Sequence, residues 1–213
     1  PIGIFTLPKD KHMEYKKHIT DIWENAPSEL MQQFQHEPKT KHLCNLVNQN
    51  LFSSFKDLLD LKLDIQKIIL SYIREIGFSC EEVIINSAWL NNAEKGSTLE
   101  YHTHSNSYVS GNYFVNFDLS KHTRLAFLND RVCTADAYPN AQVISIPKRT
   151  DKKSIYTSNS YEIAAAEGKI LIWRSNKAHG YKTPNQSGNR LTLSFNSMPK
   201  TLNNGFYSFD ISE

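Results

Sequence analysis

The chain has 213 residues, of which 39% are hydrophobic and 22% are charged. This length accommodates one domain with a substantial core, and the composition indicates a soluble globular protein. The 24 basic and 22 acidic residues leave a net charge of only +2, which argues against nucleic acid or an anionic membrane as a partner.

The cysteines and the N-terminal sequence bear on where the protein is located. The three cysteines, Cys44, Cys80 and Cys133, are far apart, and no pair has the spacing of a metal or redox motif. Their scatter predicts free thiols. No charged leader precedes a long apolar run, and no stretch reaches the ~18 apolar residues of a membrane span. We therefore expect a cytoplasmic protein that does not enter a membrane.

The first elements are predicted from short-range signals. Residues 1–8 form a short strand bounded by a proline, and residues 11–36 have a helical pattern that Pro27 divides. Proline suits the first turn of a helix, so a second helix is expected to begin near Ala26. The polar residues 36–50 are predicted to form a loop.

The clearest predicted helix spans residues 52–76. Its apolar residues recur every three or four positions, which is typical of a helix that packs one face on a core. Gly77 follows in the position of a C-terminal cap. The helix has a candidate break near residues 60–64.

After this helix the sequence has the pattern of a β-sheet protein. Short runs rich in β-branched and aromatic residues alternate with turn residues. The predicted strands span residues 82–90, 98–103, 108–117, 124–128, 142–146, 162–165, 169–173, 180–183 and 189–197.

This order of elements predicts an α+β, mainly β fold. We expect a double-stranded β-helix, a cupin-like jelly roll, with the N-terminal helices packed on one side. Residues 1–213 would form a single domain, in which a helical leader at 1–80 packs on a jelly-roll core at 81–213. The polar stretch 147–160 is predicted to be a surface loop or a lid over the site.

Two histidines in one predicted strand are placed to bind one metal ion. Side chains alternate between the faces of a strand, so His102 and His104 point the same way, and imidazole is a common metal ligand. A His-x-His pair alone is a weak motif, and a third ligand must come from elsewhere. His179 is the best candidate because it follows an apolar strand that ends in a polar turn.

A later strand presents an arginine on its polar face. Between residues 189 and 196 apolar side chains alternate with polar ones, and the polar face begins with Arg190 and Thr192. A planar guanidinium and a hydroxyl two residues later suit a buried carboxylate ligand. The alternative role for Arg190 is a salt bridge to an acidic side chain.

The order of these five residues resembles that of the iron(II)- and 2-oxoglutarate-dependent oxygenases. The surrounding sequence resembles members of that family from marine bacteria and their phages, over about half the chain. The matching segments are Trp89–Asn91, His102–Ser107, Ser110–Val115, Gly168–Trp173 and Arg190–Asn196.

The resemblance implies both cofactors and their binding residues. His102, His104 and His179 would be the catalytic residues that hold Fe(II). 2-Oxoglutarate would bind through Arg190 and Thr192. The resemblance also implies oxidative decarboxylation of 2-oxoglutarate to succinate, coupled to hydroxylation of an unknown substrate by dioxygen.

Further expectations concern the surroundings of this site. A tyrosine near 2-oxoglutarate in better-known relatives corresponds to Tyr113, although an aromatic residue in a strand is nearly as often simple core. The substrate would be a small molecule or a peptide or protein side chain. A homodimer is compatible with the fold, and a phage-encoded protein would act in the cytoplasm of its bacterial host.

One feature departs from the better-known members of the class, and two alternatives stay open. His104 stands where those members have an aspartate or glutamate, so the metal would lack an anionic protein ligand. Asn106, next on the same face, is the alternative ligand.

Two alternative functions also stay open. One is a three-histidine metal dioxygenase or cupin-like metalloprotein that does not use 2-oxoglutarate, and the other is a non-catalytic jelly-roll binding module.

Overall fold

The computed structural model describes residues 1–35, 37, 39–45, 47–129, 158–203, 205 and 208–211. The predicted strand at 142–146 and most of the predicted loop at 147–160 lie outside these residues. Within them, no helix is long and apolar enough to cross a membrane.

The helices lie in the N-terminal part of the chain, as predicted. Helix α1 spans Lys9–Asn25, α2 spans Leu51–Ser54 and α3 spans Leu59–Glu75. Two single 3-10 turns accompany them at Ser28–Leu30 and Lys56–Leu58.

The long helix predicted over residues 52–76 is divided into α2 and α3. The backbone of Phe55 is extended (φ −127°, ψ 101°), which ends α2 and begins a 3-10 turn. The break therefore lies earlier than the predicted position near residues 60–64. Gly77 ends this helical region as predicted, with a φ of +94° in the left-handed region that favours glycine.

Two other N-terminal predictions were wrong. The helix expected from Ala26 is only a 3-10 turn, because Met31 already has an extended backbone and pairs with Leu43. The predicted loop at 36–50 contains a strand. That strand was missed because polar residues lie on both of its faces: Thr40 and His42 are buried, whereas Lys41 on the other face is exposed.

Thirteen strands lie in the described part of the chain. Every strand predicted within these residues is present, with ends that differ by at most three positions. The strands are β1 (Ile2–Thr6), β2 (Met31–Gln32), β3 (Thr40–Leu43), β4 (Val83–Ala93), β5 (Leu99–His102), β6 (Val109–Asn116), β7 (Leu125–Leu128), β8 (Ser160–Ile163), β9 (Lys169–Arg174), β10 (His179–Tyr181), β11 (Arg190–Pro199), β12 (Thr201–Asn203) and β13 (Ser208–Asp210).

The strands form two facing antiparallel sheets and one hairpin. The larger sheet has the order β1-β9-β6-β11-β4-β3-β2, and the smaller one has the order β5-β10-β7-β8. Strands β12 and β13 pair with each other. Helices α1 and α3 pack on the outer face of the larger sheet. This is the mainly β double-stranded β-helix that the sequence predicts, with helices on one side.

Alternation of side chains gives the two faces of the larger sheet different roles. In β11, Leu191, Leu193 and Phe195 join the apolar core beneath the helices. The intervening Arg190 and Thr192 are buried on the face that lies between the two sheets. The strand therefore anchors the helical layer with one face and supplies polar groups to an internal cavity with the other.

Candidate functional site

The three predicted histidines meet where β5 and β10 pair. His102 is the last residue of β5 and lies opposite His179, the first residue of β10. His104 follows two residues later, and its backbone N–H donates to Ser175 O at 3.0 Å. One antiparallel strand pair thus brings together residues that are far apart in sequence.

Gly180 allows these two strands to approach closely beside the histidines. A Cβ at this position would lie 2.6 Å from Leu99 O and 2.8 Å from Glu100 O, which are contacts with backbone that cannot move aside. A side chain here would push β5 away from β10. The close pairing of His102 with His179 therefore requires glycine at this point.

The imidazole nitrogens are spaced as ligands of one metal ion. One ligand atom from each of His102, His104 and His179 lies within 4.8 Å of the other two. The Nε2 atoms of His104 and His179 are 3.2 Å apart. Two nitrogens that bind one ion at about 2.1 Å and at right angles are about 3.0 Å apart, so this pair needs little adjustment.

Backbone carbonyls orient two of the rings. His102 Nδ1 lies 2.9 Å from Glu100 O, and His179 Nδ1 lies 3.0 Å from Lys177 O. A carbonyl oxygen only accepts, so Nδ1 carries the hydrogen and Nε2 presents its lone pair. Hydrogen bonds of this kind fix the ring and the tautomer of histidines in metal sites.

Burial keeps two of the rings in the form that binds metal. It lowers the pKa of His179 to about 3 and that of His104 to about 4, and the neighbouring His102 ring lowers both. An imidazole binds a metal through the lone pair of its neutral form. The cluster is therefore ready to bind a cation near pH 7 without releasing protons from these two rings.

Arg190 supplies a buried cationic donor to the same cavity. It is 2% exposed, its Nε donates to Thr123 O at 3.3 Å, and its guanidinium carbon lies 4.8 Å from the centre of the Tyr181 ring. Its Nη2 is buried and has no hydrogen-bond partner among the described residues, and the same is true of the hydroxyl of Thr192. Among the described residues no acidic side chain pairs with Arg190, so the alternative salt bridge is not found there.

These groups fit the two cofactors that the resemblance implies. Three imidazoles are suitable ligands for Fe(II). A buried guanidinium and an adjacent hydroxyl suit a carboxylate, which would relieve the cost of about 1–3 kcal/mol that each unpaired buried donor carries. Both sets of side chains line one cavity between the sheets, together with Trp89, Asn91, Asn112, Trp173, Tyr181 and Ser194.

Tyr113 does not line this cavity, which corrects its predicted role. Its side chain lies in the core beneath the helices, where its hydroxyl is 2.7 Å from His12 Nδ1. Because the faces of β6 alternate, the cavity side belongs to the neighbouring Asn112, and Phe114 also points between the sheets. Tyr113 therefore has the alternative role that the sequence left open, that of a core residue.

Two further polar side chains in the cavity are not singled out by the sequence. Trp173 lies near the end of an apolar strand and looks like core, yet its Nε1 is buried and has no partner among the described residues. Asn112 lies in a strand of small and apolar residues. Only the strand register, in which Asn112 faces Ser194 of β11, identifies its position beside the predicted site.

An open groove of about 600 Å³ adjoins the cavity. The two share His42, Trp89 and His104. The described lining of the groove contains no lysine, arginine, aspartate or glutamate. It is rich in amide side chains instead: Asn48, Gln49, Asn86, Asn106 and Asn196. Asn106, the alternative metal ligand, thus lines the groove and not the cavity.

A family model of 2OG-Fe(II) oxygenases matches residues 87–196. This segment contains the three histidines, the arginine and the threonine of the site. No protein with a curated description matches the sequence.

Solved structures of low sequence identity share the fold. HygX from Streptomyces hygroscopicus, with nickel, 2-oxoglutarate and hygromycin B bound, is 11% identical with a TM-score of 0.59, over 93% of this chain and 82% of that chain. A prolyl hydroxylase from Trichoplax adhaerens, in complex with a hypoxia inducible factor oxygen degradation domain peptide fragment, is 12% identical with a TM-score of 0.56, over 92% and 83%. The α-ketoglutarate-dependent epimerase SnoN from nogalamycin biosynthesis is 8% identical with a TM-score of 0.63, over 94% and 79%.

The chain shares the double-stranded β-helix fold of these oxygenases. Since the family model covers about half of the chain, the protein belongs to the 2OG-Fe(II) oxygenase family. It is therefore a 2-oxoglutarate-dependent non-haem iron oxygenase whose cofactors are Fe(II) and 2-oxoglutarate. The predicted family, fold class and cofactors are confirmed, and an origin in marine bacteria or phages stays a prediction.

Proposed function

We propose that this oxygenase is a hydroxylase that holds Fe(II) through His102, His104 and His179 and the distal carboxylate of 2-oxoglutarate through Arg190 and Thr192. One observation carries the proposal. Two buried donors without partners, Arg190 Nη2 and Thr192 Oγ1, line the same cavity as the imidazole cluster. A cavity with a metal-binding cluster and a separate pair of carboxylate-binding donors suits a cofactor that chelates a metal and carries a second carboxylate.

Each side chain has a distinct task in this reaction. When bound, iron and 2-oxoglutarate would supply the oxidising chemistry: one atom of dioxygen would enter the succinate formed from 2-oxoglutarate with loss of carbon dioxide, and the other would hydroxylate the substrate. Arg190 binds and orients the carboxylate in surroundings from which water is largely excluded, which strengthens the charge interaction. Thr192 adds a hydroxyl donor, and the rings of Trp173 and Tyr181 shield the cavity from solvent.

The adjoining groove is the proposed substrate site. It meets the cavity at His104 and Trp89, so a substrate in the groove would lie beside the metal ligands. Its volume of about 600 Å³ suits a small molecule or a peptide side chain. HygX has an antibiotic bound and the Trichoplax enzyme has a peptide bound, so both substrate classes occur on this fold. The cytoplasmic location and the homodimer stay predictions.

Formation of succinate from 2-oxoglutarate tests the proposal. The protein reconstituted with Fe(II) is incubated with 2-oxoglutarate and oxygen, alone and with candidate substrates, and any product is examined for a gain of one oxygen atom. His179→Ala should abolish succinate formation. His18→Ala, on α1 and outside the cavity, is the matched control and should behave like the unaltered protein. Unchanged turnover in His179→Ala would contradict the assignment.

A further inference from the structure

A row of hydrogen-bonded side chains crosses the cavity face of the larger sheet. His42 Nδ1 lies 2.7 Å from Asn91 Oδ1, Asn91 Nδ2 donates to Ser194 Oγ at 2.7 Å, and Ser194 Oγ donates to Asn112 Oδ1 at 2.6 Å. These four residues, on β3, β4, β11 and β6, are called the polar row below. All four line the cavity.

The strand register explains why the polar row can form. His42 lies opposite Asn91, and Ser194 lies opposite Asn112, so these pairs face each other on adjacent strands. Asn91 is opposite Thr192 and reaches diagonally to Ser194 on the same face. Four neighbouring strands therefore each contribute one polar side chain at nearly the same level.

The hydrogen bonds of the polar row run in one direction. An amide oxygen only accepts, so the ring of His42 must donate to Asn91. The amide nitrogen of Asn91 then donates to the hydroxyl of Ser194, and that hydroxyl donates to Asn112. Each member is oriented by the one before it.

An acidic residue anchors the start of the polar row. The Glu37 carboxylate lies 3.3 Å from His42 Nε2, and both side chains are largely buried, with exposed fractions of 14% and 5%. This close contact is not an aligned hydrogen bond, because His42 Nε2 has no hydrogen-bond partner among the described residues. This contact holds the imidazole ring so that Nδ1 faces Asn91.

The last member of the polar row leaves one donor for the cavity. Asn112 is 8% exposed, and its oxygen is occupied by Ser194. Its amide nitrogen must then point away from Ser194, and none of the hydrogen bonds found among the described residues involves it. Asn112 lines the same cavity as His179 and Arg190.

From this arrangement we infer that Asn112 is a further 2-oxoglutarate-binding residue, and that His42, Asn91 and Ser194 are positioning residues that fix its amide nitrogen toward the cofactor. The inference rests on the proposed function, because it needs 2-oxoglutarate in this cavity. A donor whose orientation is fixed in advance loses little entropy on binding, so it contributes more than a freely rotating amide.

Direct measurement of 2-oxoglutarate binding tests the role of Asn112. The Fe(II) protein is titrated anaerobically with 2-oxoglutarate, and the dissociation constant is read from the visible charge-transfer band. Asn112→Asp keeps the size and the acceptor oxygen but replaces the donor by a negative charge. We expect its dissociation constant to rise at least tenfold, since hydrogen bonds to charged groups are among the stronger ones. An unchanged constant would overturn the inference.

A second set of variants tests the positioning role. Ser194→Ala removes the hydroxyl that orients Asn112 and should raise the dissociation constant by about threefold to tenfold. Ser194→Thr keeps the hydroxyl and should restore most of the affinity. The matched control is Ser110→Ala, because Ser110 Oγ is also buried and donates to an amide oxygen, that of Asn196, at 2.7 Å, but Asn196 faces the groove. Equal losses in Ser194→Ala and Ser110→Ala would contradict positioning.

Arg190→Ala separates failure of this inference from failure of the proposed function. If Arg190→Ala loses 2-oxoglutarate binding while Asn112→Asp and Ser194→Ala bind normally, only the polar row is refuted. If Arg190→Ala also binds normally, the cofactor lies elsewhere and both proposals fail. Thermal unfolding of each metal-free variant confirms that a loss of affinity does not come from a loss of folding.

Discussion

At the scale of single residues, the cavity holds donors that the folded protein alone does not satisfy. Three of them are buried and have no hydrogen-bond partner in the part of the chain that the structure describes: Arg190 Nη2, Thr192 Oγ1 and Trp173 Nε1. Buried polar groups are nearly always paired, because an unpaired one loses its hydrogen bonds to water and gains none from the protein. A carboxylate ligand would offset this cost. The same atoms therefore lower the stability of the cofactor-free protein and raise its affinity for 2-oxoglutarate.

Thr192→Val separates these two effects. The substitution keeps the shape and removes the unpaired hydroxyl, so the metal-free protein should melt about 2–4 °C higher, which corresponds to about 1 kcal/mol. The affinity for 2-oxoglutarate should fall several-fold. Thr123→Val is the matched control, because the hydroxyl of Thr123 donates to Pro184 O at 3.0 Å and its loss should destabilise. A Thr192→Val protein that melts lower and binds 2-oxoglutarate normally would refute this account.

His104 decides whether three imidazoles form the metal site. Its Nε2 is 3.2 Å from that of His179, so His104→Ala should weaken Fe(II) binding by at least tenfold. His104→Asp would create the two-histidine, one-carboxylate set used by many non-haem iron enzymes and should retain metal. Anaerobic equilibrium dialysis measures both. If His104→Ala binds Fe(II) normally, His104 is not a ligand.

At the scale of elements, the metal site depends on the distance between β5 and β10. Gly180→Ala should separate His102 from His179, because its Cβ would lie within 3 Å of backbone oxygens of β5. We expect metal binding to be lost and the melting temperature to fall. Gly188→Ala has no atom within 4 Å of the added Cβ and should change neither property. Normal metal binding by Gly180→Ala would show that the strands can adjust.

Helix α1 is held on the larger sheet by a cluster of polar contacts. Glu167 Oε1 lies 2.8 Å from Lys16 Nζ and 3.1 Å from His12 Nε2, and His12 also contacts Tyr113. Burial alone would raise the pKa of Glu167, but the hydrogen bonds from Lys16 and His12 hold it below its ordinary value. This contact therefore stabilises the fold above the ordinary pKa of a glutamate, about 4.3, and is lost as the pH falls through the lower folded value.

Glu167→Gln tests this anchor. At pH 7 the variant should be less stable by about 1 kcal/mol, and the difference should shrink when the pH falls below about 4. Urea unfolding at both pH values measures it. Glu162→Gln is the control, because the Glu162 side chain is 48% exposed and lies 3.8 Å from Arg124. A difference for Glu167→Gln that is the same at both pH values would contradict the charge contribution.

The elements predicted from sequence were those with a local signal. Strand β11 was recognisable because one face is apolar and the other carries Arg190 and Thr192. Strand β3 was not, since its role comes from pairing with β4, a contact that leaves little trace in its own four residues. The face of Tyr113 could not be predicted for a similar reason: alternation reveals two faces, but only the register with neighbouring strands tells which face meets the cavity.

At the scale of the whole molecule, the site lies between the two sheets and draws on both. The smaller sheet carries His102 and His179, and the larger sheet carries Arg190 and Thr192. These four residues and the fold that carries them could be predicted from the sequence. The polar row and the unpaired Trp173 could not, because they depend on side chains from strands that are distant in sequence.

The most direct test of the central claim is an anaerobic titration of the metal-free protein with Fe(II) and then with 2-oxoglutarate, followed by visible absorption. We predict that Fe(II) binds, that the weak charge-transfer band of chelated 2-oxoglutarate appears, and that Arg190→Ala requires far more 2-oxoglutarate to produce it. Iron binding without any band would contradict chelation at the three histidines. A band that is unchanged in Arg190→Ala would contradict the role of Arg190.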